Sequence, residues 1–456
     1  MFCGCALGVP WVCMATGQKV YFVRLLCTAL LALLCGASSA HADLRGHGGP
    51  VRAVAVSPDG RRAISGSFDT SAIVWSLGPS LVSGNAEAVL RFHEGAVNAV
   101  AFLSDGRMVT AGEDARIAIW KPGEDAPARV LEGHRGPIVA LAASPDGSFI
   151  ASGAWDHTAR LWSVERDEVR VFEGHRQNVN GVAFTPDGRS LVTVGYDASL
   201  RIWPISGNDA PTIVTLPAPL NAVAVAGNGE ILAGAADGRV YFISPSGQRD
   251  GAVAGADLPI TALALSPDGK WVATASIQGG LLVIERQTRA VVRAVAKPGA
   301  PVWSVTFLMD SSTLLTGGSD GIIRPWSMRS GAPVASAPAA RSDDADDPLA
   351  HYAGDAGAQV FRACVACHTL HSDRGNRAGP SLGGIFGRRI ATLPGYNFSP
   401  ALKKLDIVWT PETLSKLFEI GPSAYTPGTK MPEQRIESAQ DRAALIEFLK
   451  RATRRP

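Results

Sequence analysis

Cysteine is nearly absent from the body of this chain, although the sequence contains seven. Five of them lie within the first 35 residues, and the remaining two are Cys364 and Cys367. A disulfide framework is therefore excluded for the region between them. Beyond residue 35 the sequence has no second cysteine pair that could complete a four-cysteine zinc site with Cys364 and Cys367.

Long hydrophobic runs are also missing. The apolar run Leu25 to Cys35 follows Lys19 and Arg24 and precedes small residues that end at Ala42. It is too short to span a bilayer, and its flanks are typical of a secretory leader. We predict that residues 1–42 are removed, with Met14 as an alternative start of translation. The five early cysteines then leave with the leader, which is consistent with an oxidising compartment such as a bacterial periplasm.

Cys364, Cys367 and His368 form the sequence Cys-x-x-Cys-His, the attachment motif for covalent haem. Each cysteine can form a thioether to a haem vinyl group, and the histidine can then bind the iron. A Cys-x-x-Cys pair also occurs in zinc and thioredoxin-like redox sites, but zinc needs two further ligands at matching spacing. We therefore predict one covalently bound haem c.

Met431 is the candidate for the second axial ligand of the iron. It ends the turn-rich run that begins at Pro427, and methionine opposite histidine raises the potential of electron-carrying haems. A single methionine is more often a core residue, so this prediction depends on the surrounding segment. A haem that reduces or senses peroxide would require Met431 to leave the iron.

The C-terminal hundred residues resemble a class I cytochrome c, most closely the mitochondrial and soluble bacterial members. The resemblance implies that Met431 is the distal ligand and that the carbonyl of Pro380 accepts the ring N–H of His368, as metal-bound histidines commonly require. It also implies that Arg388 and Trp409 lie beside a haem propionate. The matching landmarks are Gly354 to Ala356, Val360-Phe361, Ala378 to Leu382, Gly384 to Arg388, Pro394 to Tyr396, Trp409-Thr410 and Pro427 to Met431.

Several positions depart from the pattern of that family. Phe398 stands where many relatives have a tyrosine that bonds a propionate, Leu402 replaces a polar pocket residue, and Phe418 replaces a tyrosine near the methionine. The segment from Gly421 to Ala424 lacks the lysines with which mitochondrial relatives dock onto their partners. The usual oxidase partner is therefore not implied.

The chain before residue 336 is periodic. Tryptophans and Gly-His dipeptides recur about every 41 residues, which is typical of four-stranded propeller blades. From Asp43 to Ala335 the chain resembles a WD-repeat protein, and one turn position marks seven blades. That position holds Asp69, Asp114, Asp156, Asp197, Asp237, Gln278 and Asp320.

The histidines of these repeats have a structural interpretation. His47, His134 and His175 can join a serine or threonine, the turn aspartate and a tryptophan in the buried hydrogen-bonded relay that the resemblance implies. Buried polar groups need such partners. We therefore predict no catalytic histidine in the propeller. Blades five and six lack the tryptophan, and either Leu44-Arg45 or Pro333 to Ala335 could complete blade seven.

Residues 336–350 separate the two domains and are polar, acidic and without periodicity, so we predict a flexible linker. Residues 351–456 carry 15 Lys and Arg against 9 Asp and Glu, a net charge of +6. Residues 43–350 carry 26 against 32, a net charge of −6. The two domains could dock electrostatically, or each could attract a separate partner, although ordinary solvated charge explains the pattern equally well.

The predicted fold class is multidomain, with an all-β seven-bladed propeller over residues 43–335 and an all-α cytochrome domain over residues 351–456. The sequence favours a periplasmic electron carrier whose propeller is a platform for an unidentified redox partner protein. Neither a membrane span nor nucleic-acid binding is expected. The alternative is an oxidoreductase with its active site in the propeller and the cytochrome as built-in acceptor, which would need a second cofactor or a catalytic cluster.

Overall fold

Seven four-stranded antiparallel sheets account for most of the residues that the structure describes. The computed structural model describes residues 43–78, 85–254, 258–296, 301–334, 349–365, 367–371, 379–394, 396, 398–429, 431 and 434–454. The predicted leader, residues 336–348 of the predicted linker and Ala366 lie outside these ranges.

Each sheet is one blade of a propeller, and strands within a blade follow one another along the chain. Blade one contains β2 (Val51–Val56), β3 (Arg62–Ser67), β4 (Ser71–Ser76) and β5 (Asn85–Arg91). Blade two contains β6 (Val97–Phe102), β7 (Met108–Gly112), β8 (Arg116–Trp120) and β9 (Arg129–Glu132). Blade three contains β10 (Ile138–Ala143), β11 (Phe149–Ala154), β12 (Ala159–Ser163) and β13 (Val169–Phe172). Blade four contains β14 (Val179–Phe184), β15 (Ser190–Gly195), β16 (Ser199–Pro204) and β17 (Thr212–Thr215). Blade five contains β18 (Leu220–Val225), β19 (Ile231–Ala235), β20 (Arg239–Ile243) and β21 (Arg249–Ala254). Blade six contains β22 (Ile260–Leu265), β23 (Trp271–Ser276), β24 (Gly280–Glu285) and β25 (Ala290–Ala296).

Blade seven is closed by the beginning of the described chain. Its strands β26 (Val302–Phe307), β27 (Thr313–Gly318) and β28 (Ile322–Ser327) are joined by β1 (Leu44–Arg45). Leu44 pairs with Ile323, whereas Pro333 forms a single bridge to Trp326 further along β28. Both candidate segments therefore pair with β28, and β1 supplies the fourth strand. Because Pro333 also pairs with β28, the sequence pattern did not distinguish which of the two segments forms the fourth strand of blade seven.

Tight turns set the register of the hairpins. In the turn between β2 and β3, the Ser57 hydroxyl donates to Asp59 at 2.6 Å, and Asp59 also accepts the Arg61 amide at 3.0 Å. Gly60 has a φ of 70°, which a residue without a side chain adopts at little cost. The same Ser-Pro-Asp-Gly sequence recurs at this turn in blades three and six, and blade four has Thr-Pro-Asp-Gly.

The predicted relay is confirmed in blades one to four. In blade one, the Ser65 hydroxyl lies 2.7 Å from His47 Nε2 and accepts the Trp75 indole N–H at 2.8 Å. His47 Nδ1 lies 2.9 Å from the Asp69 carboxylate. Burial opposes ionisation of Asp69, but His47, Ser71 and a backbone amide hold its pKa below the ordinary value. These histidines are satisfied structural residues.

The degenerate blade five has Ile243 at the position of the missing tryptophan, since Ile243 pairs with Ile231 as Trp203 pairs with Leu191 in blade four. Tyr241, two residues earlier, is 1% exposed and donates its hydroxyl to Asp237 at 2.6 Å. Burial, followed by the hydrogen bond to Asp237, raises the pKa of Tyr241 to about 12. The turn aspartate of this blade therefore keeps a hydrogen-bond partner without the histidine.

The C-terminal domain is helical. It contains a 3₁₀ turn (Ala350–Tyr352), α1 (Ala356–Phe361), α2 (Pro400–Lys403), α3 (Pro411–Ile420), α4 (Pro422–Tyr425) and α5 (Ala439–Ala452). Helices α1 and α5 cross closely, because a side chain at Gly357 would overlap the Ala444 carbonyl and Phe448. Phe361 and Phe448 pack with ring centroids 5.5 Å apart in the core of this domain.

The predicted fold class is confirmed by these two parts, an all-β propeller followed by an all-α domain. The described residues, from residue 43 onward, belong to one compact unit. Among the described residues, no helix combines the length and apolar character needed to cross a bilayer.

Candidate functional site

A single crevice in the helical domain brings the predicted site residues together. It has an empty volume of about 1390 Å³, including space open to solvent. Its walls include all seven residues that the sequence singled out: Cys364, Cys367, His368, Pro380, Arg388, Trp409 and Met431. Residues far apart in the sequence thus share one site.

The cysteines and histidine occupy successive turns after α1. The Cys364 amide donates to the Phe361 carbonyl at 2.7 Å, and the Cys367 and His368 amides donate to the Cys364 carbonyl at 3.1 and 2.9 Å. Cys364 is buried and Cys367 is half-buried. This tight backbone presents both sulfurs and the imidazole to the same crevice.

His368 is held by the backbone opposite it. Its Nδ1 lies 2.8 Å from the Pro380 carbonyl oxygen. A carbonyl can only accept, so Nδ1 carries the proton and Nε2 keeps its lone pair for a metal. A side chain at Gly379 would overlap the imidazole ring. The backbone at positions 379 and 380 therefore fixes both the tautomer and the orientation of His368.

Met431 is placed by the segment between α4 and α5. Its amide donates to the Thr429 hydroxyl at 3.1 Å. The neighbouring Gly428 carbonyl accepts a hydrogen bond from the Ser399 hydroxyl at 2.8 Å, and Ser399 is the N-cap of α2. The loop that carries Met431 is thus tied to a second element of the crevice wall.

Arg388 and Trp409 line the crevice side by side. The Trp409 amide donates to the Arg388 carbonyl at 3.0 Å. The Arg388 guanidinium donates to the Gly383 and Ser381 carbonyls at 3.0 and 2.9 Å. Arg388 therefore stabilises the loop around it, and its contact with a propionate stays a prediction.

The residues of the crevice fit a haem. The wall is largely apolar, as a flat macrocycle requires, and two cysteine sulfurs and one imidazole face it. Arg91 is a half-buried cation of the wall, and its Nε and Nη2 atoms are buried without a hydrogen-bond acceptor among the described residues. A ligand with carboxylate groups would satisfy it. The apolar residues of the wall include Leu382, Ile385, Leu402, Leu414, Leu417 and Phe418.

Arg91 and Asp69 are wall residues that the sequence did not predict, because both belong to blade one of the propeller. Arg91 stands two residues before His93, and at the same offset the other repeats have Arg45, Glu132 and Glu173. Both charges therefore occur at this offset, and no charge pattern in the repeats distinguishes Arg91.

Replacing Gly379 by alanine is expected to displace His368, because the added methyl group would overlap the imidazole. Such overpacking costs about 1–3 kcal/mol. We expect a lower melting temperature of the helical domain and altered axial ligation in the optical spectrum. Gly227→Ala is the control, since a side chain there meets nothing within 4 Å. An unchanged spectrum and melting temperature in Gly379→Ala would show that this glycine does not position His368.

Comparison with known proteins identifies both parts of the chain. The family model "IFT122 first beta-propeller" matches residues 96–342, more than half of the chain, and "WD domain, G-beta repeat" matches residues 39–76. The family model "Cytochrome c" matches residues 354–453.

Curated cytochromes c match about a fifth of this chain. The cytochrome c of Sesamum indicum is 41% identical over 98 residues, which cover 21% of this chain and 87% of that protein. The cytochrome c of Cochliobolus lunatus is 41% identical over 104 residues, which cover 22% of this chain and 95% of that protein. The matched relatives are therefore nearly complete within the helical domain.

Proposed function

Because the chain belongs to the cytochrome c family through its C-terminal domain and to the WD-repeat propeller family through the preceding residues, we propose that it is a periplasmic electron carrier whose propeller docks a redox partner. The observation that carries the electron-transfer part is the convergence of Cys364, Cys367, His368 and Met431 on one crevice.

Each residue of the crevice has a defined task in this proposal. Cys364 and Cys367 anchor the cofactor through two thioether bonds, and His368 and Met431 ligate the iron. Pro380 keeps His368 in the tautomer that binds metal, as its 2.8 Å contact with Nδ1 supports. A bound haem c supplies a one-electron Fe(III)/Fe(II) couple. The sequence contains a single Cys-x-x-Cys-His motif, so we expect one haem per chain.

The proposed docking surface lies at one mouth of the propeller channel. Trp155 and Tyr196 are each 48% exposed and line the channel together with Arg52 and Trp303. The Arg52 guanidinium lies 4.9 Å from the Trp303 ring centroid. Exposed aromatic side chains beside an arginine are typical of protein-binding surfaces. WD propellers commonly hold protein partners, which agrees with this position.

Replacing Trp155 and Tyr196 by alanine is expected to slow reduction of the haem by the physiological donor, because two aromatic anchors of the surface are removed. Interface anchors of this kind contribute about 2 kcal/mol or more each, so a decrease of at least tenfold is expected. The measurement is the rate of haem reduction by a periplasmic fraction of the source organism, followed optically.

Ile213→Ala is the matched control, because Ile213 is 54% exposed but lies on the outer strand β17. Ascorbate should reduce all variants at the same rate, since a small reductant needs no docking surface. Equal rates for the double variant and the Ile213 control with the periplasmic fraction would contradict the docking role.

The periplasmic part of the proposal is supported by the leader-like residues 1–42 and by the absence of cysteines between residues 36 and 363. We expect the protein isolated from the periplasmic fraction to carry haem and to begin at Asp43. Intact-mass measurement of the purified protein tests this. A haem-loaded protein that retains residues 1–42 in the cytoplasmic fraction would contradict it.

A further inference from the structure

The haem crevice opens against blade one of the propeller. Gly48, in the loop that enters blade one, lies so close to Cys367 that a side chain at position 48 would overlap the Cys367 sulfur. The Arg91 guanidinium, at the end of β5, lies 4.9 Å from the centroid of the Tyr396 ring. Asp69 and Arg91 of the same blade form part of the crevice wall.

Arg91 reaches this wall with unused hydrogen-bonding capacity. Its Nε and Nη2 atoms are buried and have no hydrogen-bond partner among the described residues. A buried guanidinium without a counter-charge is costly, whereas a carboxylate that accepts two of its N–H groups makes a strong, directional pair. The Tyr396 ring holds the flat face of the guanidinium, which leaves its edge for an acceptor.

Asp69 is the one carboxylate among the described wall residues of the crevice, and it already has partners. Asp69 Oδ2 accepts from the Gly48 amide at 2.8 Å and contacts His47 Nδ1, and Asp69 Oδ1 accepts from the Ser71 hydroxyl at 2.6 Å. The Asp69 side chain therefore completes the relay of blade one. A haem in the crevice would bring two propionate carboxylates as acceptors for Arg91.

Blade one differs from the next three blades at one of the two positions that face the crevice. The residue after the relay histidine is Gly48 here, but Glu94, Arg135 and Arg176 in blades two to four, where the same amide still donates to the turn aspartate. The fold therefore accepts a side chain at this position.

At the second position, two residues before the relay histidine, the repeats have Arg45, Arg91, Glu132 and Glu173, and Arg45, Glu132 and Glu173 are exposed. The fold therefore accepts either charge there. Gly48 is the exception of blade one, and the helical domain that lies against it explains the missing side chain.

We propose that Arg91 of the propeller binds a propionate of the haem, so that blade one completes the haem site and covers the haem edge at Cys367. This rests on the haem assignment of the proposed function. A cation next to a haem carboxylate disfavours the extra positive charge of the ferric state and raises the reduction potential. Gly48 and its neighbours would cover the haem edge and thereby limit the access of solvent to it.

The test compares full-length, haem-loaded variants. Arg91→Gln removes the charge, and Arg91→Glu introduces the glutamate that blades two and three have at this offset. Arg91→Lys keeps the charge but loses the planar fork of the guanidinium. Gly48→Ala keeps Arg91 and displaces the edge of the helical domain sterically. Arg176→Gln is the control, because it removes an equally charged, exposed arginine from the loop that enters blade four.

We expect all three Arg91 variants to have a lower reduction potential than the wild type. The decrease should be smallest in Arg91→Lys, larger in Arg91→Gln and largest in Arg91→Glu. The largest decrease should reach about tenfold in the equilibrium constant for reduction, which is about 59 mV for one electron. Gly48→Ala should lower the potential and speed reduction of the ferric protein by dithionite severalfold, because the haem edge becomes accessible. Arg176→Gln should match the wild type in both measurements.

Potentials and dithionite rates of the Arg91 and Gly48 variants equal to those of Arg176→Gln would overturn the proposal, while leaving the haem assignment intact. A purified wild-type chain without covalent haem would instead contradict the proposed function itself. The two failures are therefore distinguished by the optical spectrum of the wild type.

Discussion

Replacing Met431 by alanine is expected to convert a closed haem into an open one. Met431 lines the crevice with His368, and its amide is fixed by the Thr429 hydroxyl at 3.1 Å. Without the thioether, water or an added anion can bind the sixth position. The reduction potential should fall by on the order of a few tenths of a volt, within the roughly 0.8 V range over which axial ligands act.

The variant should lose the near-infrared sulfur-to-iron band of the ferric protein and bind cyanide and azide rapidly. Met309→Ala is the control, because Met309 lies on the propeller and is 52% exposed. A Met431→Ala protein that keeps the band, and binds cyanide as slowly as the Met309 control, would show that another residue is the sixth ligand.

Replacing both Cys364 and Cys367 by alanine is expected to abolish covalent attachment of the haem. No other cysteine lies beyond residue 35, so no substitute thiol exists in the domain. The haem should be extracted by acidic organic solvent, and haem staining of the denatured chain should disappear. The empty crevice should also lower the melting temperature of the helical domain, because its apolar wall loses its filling.

Each single cysteine variant is a control, since one remaining thioether should keep the haem on the denatured chain. The spectrum of such a chain should shift to that of a haem with one saturated and one free vinyl group. Haem staining of the denatured double variant at the wild-type level would contradict attachment at this motif.

The propeller illustrates what the sequence could predict. The relay follows from local rules, because a buried histidine needs partners and the repeat supplies a hydroxyl, a carboxylate and an indole at fixed offsets. The structure confirms it, with Ser65 between His47 and Trp75. Closure of blade seven was less determined, because Leu44 and Pro333 both pair with β28 and at different points along it.

The part of the haem crevice that lies within recognisable sequence motifs was predictable. Cys364, Cys367 and His368 are adjacent in sequence, and Met431 belongs to a recognisable segment. The contribution of blade one was not predictable in the same way, since Arg91 and Tyr396 meet only through tertiary packing. Gly48, where the next three repeats have a charged residue, was visible in the sequence, but the reason for it lies in another domain.

The most direct test of the account is a quantitative optical spectrum of the purified full-length protein, combined with an iron determination. The account predicts one haem c per chain, low-spin in both oxidation states, with the near-infrared band of histidine–methionine ligation when oxidised. A protein that contains no covalent haem, or a high-spin haem without this band, would contradict the assignment of the crevice.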